Sequence, residues 1–130
     1  MFYVFSKTPL ETHTKADPFE LKMKLAAGVV HQVDVLFQDG CDHEEFVQIF
    51  QGGLQLWPTN RGEYLRGNAT VVSFREFLVL DHANNYLTAE ISTTLETADI
   101  VEIIIQIGLL PKKIIQPLSF DELLAAAAGL

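Results

Sequence analysis

An all-β fold, an antiparallel β-sandwich of about seven to eight strands in jelly-roll or immunoglobulin-like form, is predicted by three features of the sequence. Runs in which apolar and polar residues alternate recur along most of the chain. Clusters of Gly, Pro, Asn and Asp separate them, and a helical signature is confined to the C-terminal tail. The spacing places a sandwich domain over 19–113, with an N-terminal arm or edge strand over 1–18 and a tail carrying a short helix over 114–130.

The N-terminus opens on the apolar tetrad Phe2, Tyr3, Val4 and Phe5, after which Pro9 and Pro18 interrupt regular structure. Two readings follow: an edge strand over the chain's own core, or an arm that adds to the sheet of a neighbouring subunit. Phe19, Leu21, Met23 and Leu25 alternate with Glu20, Lys22 and Lys24, as a half-buried strand requires. After a turn at Ala26-Ala27-Gly28, alternation resumes with Val29, His31, Val33, Val35 and Phe37 on one face. His31 is thus expected among core residues, as a hydrogen-bonded structural histidine.

The densest turn chemistry lies between Phe46 and Gly67. Phe46 to Gln51 and Leu54 to Trp57 are strand-like runs separated by Gly52-Gly53, which permits the positive φ of a tight hairpin. Pro58-Thr59-Asn60-Arg61-Gly62 then takes the chain out of the sheet, since proline has no N–H to give a ladder. A β-rich run covers Thr70 to Leu80, with a bulge or change of face expected at Arg75-Glu76. Tyr86 to Thr93 turns Leu87, Ala89 and Ile91 inward, and the polar TTLETAD that follows reads as a hairpin tip. Ile100 to Ile107 is the most β-branched stretch and is expected to be a central strand ended by Gly108 and Pro111. In the tail, Ser119 and Glu122 form a capping box, Leu118 and Leu123 a hydrophobic staple, and Phe120 to Ala128 a short helix stopped by Gly129.

Composition narrows the function. At 130 residues, 48% hydrophobic and 20% charged, the chain reads as one globular domain able to bury a core without metal or disulfide. The single cysteine, Cys41, excludes an internal disulfide. No secretion signal is visible, and no apolar run approaches the roughly 18 residues of a membrane span, so no membrane partner is expected. A net charge of −8 argues against direct nucleic-acid binding, which needs clustered positive charge.

The loop Asp39 to Glu45 is the chemically richest segment, with Asp39, Asp42, Glu44, Glu45, His43 and Cys41. Its spacing matches neither a calcium loop nor a zinc set, so a solvated acidic connection with no metal or cofactor is expected. The neighbouring carboxylates would raise the Cys41 thiol pKa and disfavour a reactive thiolate.

The combination of KADPFELKMKLAAGVVHQVDVLF, VQIFQGGLQLWPTNRGEYLRGN and IQIGLLPK resembles a group of small phage- and prophage-type proteins associated with virion structure, over Lys15 to Lys113. Residues carrying the resemblance are Trp57, Pro58, Asn60, Gly67, Gly108 and Pro111. It implies a structural β-sandwich that decorates or stabilises a capsid or serves as a connector, located in the virion after assembly in the host cytoplasm. No catalytic residue comes with it.

The leading expectation is therefore a non-enzymatic structural protein working in a symmetric homo-oligomer with other virion proteins. Its candidate interface residues are Phe2, Tyr3, Val4 and Phe5 in the arm and Phe120, Leu123 and Leu124 in the helix. The alternative is a carbohydrate-binding module that stacks sugars on Trp57, Tyr64 and Tyr86. An enzyme with His31, His43 or His82 as base has no nucleophile elbow, phosphate loop or HExxH motif to support it.

Overall fold

A computed structural model describes residues 1–83 and 85–111. Eight strands form in chain order: β1 (Phe2–Lys7), β2 (Phe19–Lys24), β3 (Gly28–Phe37), β4 (Glu45–Gln51), β5 (Leu54–Trp57), β6 (Thr70–Leu80), β7 (Tyr86–Thr93) and β8 (Ile103–Pro111). They make two antiparallel four-stranded sheets, ordered β1-β8-β3-β6 and β2-β7-β4-β5, consistent with a β-sandwich. Lys112, Lys113 and the expected helix, with Phe120, Leu123 and Leu124, lie outside the described residues.

Alternation explains the core. From β3 and β8, Val33, Val35, Phe37, Ile105, Ile107 and Leu109 project inward, and from the other sheet Met23, Val47, Ile49, Leu87, Ala89 and Ile91 meet them. All twelve are fully buried. Each strand presents its apolar set to one side only, so a one-residue slip would expose the whole set, and register is strongly specified.

The β4–β5 pair is the expected hairpin, with Gln51 opposite Leu54 and Gly52 at φ 61°. Trp57 ends β5 with 6% of its surface exposed, its ring centroid 5.4 Å from that of Phe74. It is a core residue, as its place at the end of an apolar strand implies.

One of the two readings of the N-terminus, the edge strand, is realised, and three expectations are corrected. The N-terminal strand pairs within its own molecule: Phe2 faces Gly108 and Lys7 faces Ile103 along β8. Tyr3 and Phe5 pack on the core while Phe2 and Val4 point outward. The central strand begins at Ile103 and runs through Gly108 to Pro111. Gly108 does not end it, because β3 and β1 both pair across that position and hold it in the ladder. The segment after β7 is not a hairpin tip: it makes a 3₁₀ turn at Thr97–Asp99 and carries the chain from one sheet to the other.

The third correction concerns phase. The register of β3 shifts between Val30 and Gln32 against both neighbours. Opposite β6, Val30 faces Leu78 and Gln32 faces Arg75, so the irregularity does fall at Arg75, Glu76 and Phe77. The strand that changes phase, however, is β3: Val72, Phe74, Leu78 and Leu80 of β6 keep one spacing, while Val30 takes the inward place expected for His31. Burying Val30 completely costs nothing in hydrogen bonds, whereas a buried imidazole needs partners. His31 instead meets Phe2 edge-on, with ring centroids 5.9 Å apart. These rings pass directly over Gly108, where a Cβ would lie 2.8 Å from Phe2 and 2.9 Å from His31.

Candidate functional site

The outer face of the β1-β8-β3-β6 sheet is the most unusual surface of the described residues. Along its margins stand Phe2 and Val4 of β1, at 60% and 62% exposure, Leu110 of β8, and Val71 and Val79 of β6, at 51% and 63%. Phe77 is also largely exposed. In the middle of the face the Asp34 carboxylate is satisfied by its neighbours. Asp34 accepts hydrogen bonds from Gln32 Nε2, at 3.2 and 3.3 Å, and from the Ser73 hydroxyl. Covering this band would strand no unpaired carboxylate.

The sheet edges differ in kind. β2 carries Lys22 and Lys24, a charged edge of the sort that resists strand addition, and β5 is only four residues long. β6 is eleven residues long, lacks lysine and proline, and has β3 as its one ladder partner among the described residues.

The acidic loop is less solvated than its composition implies. Asp39, Asp42, His43 and Glu44 are exposed, but Glu45 opens β4 and is fully buried. One Glu45 oxygen accepts the Val101 N–H at 3.2 Å, and the other has no hydrogen-bond partner. Burial pushes the Glu45 carboxyl up to about 7, against the smaller opposing effect of that hydrogen bond. Cys41 is buried and donates its thiol to the Gly67 carbonyl at 2.8 Å. Burial is the main cause of its raised thiol pKa, with the Glu45 and Asp42 charges adding to it. Asn68 Oδ1 braces the loop by accepting the N–H groups of Gly40 and Asp42, at 3.1 and 3.2 Å. Among the described residues, no group of three or more His, Cys, Asp or Glu side chains is placed to hold a metal ion.

The three aromatic residues of the carbohydrate reading do not share a surface. Trp57 faces the core, and Tyr64 packs edge-on against Phe46 at 5.4 Å. Tyr86 starts β7, whereas Phe46 pairs with Ser92 near its other end. Six residues of strand, roughly 20 Å, separate the two tyrosines' neighbourhoods.

Two arrangements escaped the sequence reading. The first is the outward apolar set of β6, whose signal was available: Val71, Phe77 and Val79 alternate with the inward Val72, Leu78 and Leu80, so both faces of the strand are apolar. The second is a group of cations around Phe46. The Lys15 ammonium lies 4.0 Å from the Phe46 ring centroid and 4.9 Å from that of Tyr64, with the Arg66 guanidinium 5.8 Å from Phe46. These residues come from three separate segments, so no local pattern joins them. Neither the protein families, nor the characterised proteins, nor the solved structures with which the chain was compared include a match.

Proposed function

We propose that the chain is a non-enzymatic virion structural protein, decorating or stabilising a capsid or serving as a connector, through protein–protein contacts in a symmetric oligomer. The observation that carries this reading is the apolar margin of the outer β1-β8-β3-β6 face, running to the long β6 edge. Isolated exposed apolar residues are ordinary, but several on one sheet face mark a surface that another protein covers. Uncharged stretches of a sheet edge add strands readily, and β6 has one on each side of Arg75 and Glu76.

Strand order supports the jelly-roll form of the sandwich. β1 pairs with β8, β2 with β7, β3 with β6 and β4 with β5, and these pairs alternate between the two sheets. That is one long antiparallel hairpin rolled into two layers, an arrangement used by capsid and lectin domains. An immunoglobulin-type sandwich would instead pair β1 with β2. Fold alone does not carry function, so the support for this reading is the surface and not the strand order.

The test is mass and location. Light scattering of the purified chain is expected to give a discrete oligomer that the double substitution Val4→Asp and Val79→Asp breaks to monomers with an unchanged circular dichroism spectrum. Immunogold labelling is expected to find the chain on purified particles. A wild-type monomer that is absent from particles would sink the proposal.

A further inference from the structure

We infer that the cleft between Lys15 and Arg66 binds a carboxylate-bearing sugar of about monosaccharide size. The cleft has a volume of about 310 Å³ and is lined by Lys15, Gly62, Glu63, Tyr64 and Arg66. That size is at the lower end of small-ligand sites. The inference is independent of the oligomer reading, since it concerns the opposite sheet.

The strongest argument is charge. In a chain of net charge −8, two cations converge on one concavity, and neither Lys15 nor Arg66 makes an ion pair or side-chain hydrogen bond with any described residue. The Phe46 and Tyr64 ring faces hold the Lys15 ammonium by attraction to their π electrons, and of its three N–H donors those not turned to a ring are left for an anion. The site therefore presents positioned donors for an anion.

The wall opposite is pre-organised. Gln48 Nε2 donates to the Glu63 carbonyl at 2.9 Å, Gln55 Nε2 donates to the Pro58 carbonyl at 2.7 Å, and the Gly62 N–H donates to Gln55 Oε1 at 3.2 Å. Leu65 exchanges two backbone hydrogen bonds with Val47, at 2.8 and 2.9 Å, and so ties the same loop to β4. The backbone of that wall therefore has little ordering entropy left to lose when a ligand binds.

Ligand class follows from Glu63. A bare phosphate or sulfate would meet its carboxylate as a like charge, whereas a molecule with one carboxylate and several hydroxyls satisfies both sides. Its carboxylate would accept from Lys15 and Arg66, and a hydroxyl would donate to Glu63. An acidic sugar has that pairing of groups, and its apolar ring face suits the flank of Tyr64. The carbohydrate expectation thus returns with Tyr64 alone of its original aromatic set, and with charge as the main means of recognition.

The experiment is titration of the full chain with D-glucuronate, followed by NMR or calorimetry at low salt. Saturable binding is expected, weakened as salt rises, with D-glucose and inorganic phosphate binding at least about tenfold more weakly. Lys15→Gln and Arg66→Ala should each weaken glucuronate binding by about tenfold, the loss of one charge-assisted hydrogen bond. Lys22→Gln removes a similar cation, 4.1 Å over Tyr86 and away from the cleft, and should change nothing. If Lys15→Gln perturbs the fold, Arg66→Ala decides alone, because Arg66 is an exposed residue outside the strands. No saturable binding, equal binding of glucose or phosphate, or equal loss in Lys22→Gln would each overturn the inference.

Discussion

Glu45 is the residue at which local chemistry and fold are most opposed. A carboxyl with no exposed surface and one unpartnered oxygen is far cheaper to bury neutral than charged. Its folded pKa of about 7 lies above the ordinary 4.5, so the folded state holds the proton more tightly than the unfolded chain does. The stability this provides is complete below about pH 4.5 and is lost as pH rises through about 7. The full difference corresponds to about 3 kcal/mol. Glu45→Gln keeps the shape and removes the charge, so the variant and wild type should have similar stability at pH 5. At pH 8.5 the variant should be more stable, on the order of 2 kcal/mol, in urea titrations at the two pH values. An equal gap at both would show that Glu45 is not the titrating group. Nothing in the sequence singled out Glu45 from its three acidic loop neighbours. The strand it opens pairs with Thr93, and that pairing turns the carboxyl into the sandwich.

At the scale of elements, two of the four outer strands of the described sheets, β1 and β2, make contrasting use of alternation. In β1, Phe5 packs on the core and Val4 is exposed, so Phe5→Ala should cost about 3 kcal/mol and Val4→Ala less than about 0.5. Equal costs, measured by chemical denaturation, would mean that β1 does not lie on its own sandwich in solution. In β2, Glu20 sits directly opposite Glu90 of β7. Burial and then the Glu20 charge push the Glu90 carboxyl up. Glu20→Lys replaces repulsion with attraction and should add roughly 0.5–1 kcal/mol at neutral pH. That gain depends on Glu90 being ionised and should vanish in acid as Glu90 protonates, which a thermal melt at pH 3 would reveal. The hairpin and the strands β2, β5, β6 and β7 were legible because period-two patterns and Gly-Gly report local geometry directly. The phase of β3 was not, because a bulge at His31 depends on what its neighbours β6 and β8 supply across the ladder. The Lys15, Phe46, Tyr64 and Arg66 group was invisible for the same reason: it is assembled by packing alone.

At the scale of the whole molecule, connectivity governs behaviour. Among the described strands, only β4 and β5 are neighbours in both sequence and sheet, and every other link between consecutive strands crosses from one sheet to the other. Each sheet thus draws strands from both halves of the chain, and the first strand pairs with the last. The core of Val33, Val35, Ile49, Leu87 and Ile105 likewise contains residues from both halves. No contiguous part of the described chain can bury that core alone, so partial unfolding exposes nearly as much apolar surface as complete unfolding. The sandwich should therefore melt as one unit. Trp57, buried beside Phe74, reports the packing between sheets, while far-ultraviolet circular dichroism reports the ladders themselves. In a guanidinium titration the two signals should share one midpoint and one slope. A Trp57 transition completed before the circular dichroism signal changes would mean that the sheets separate while their ladders survive, and the interleaved strand order would then not be what makes the domain cooperative.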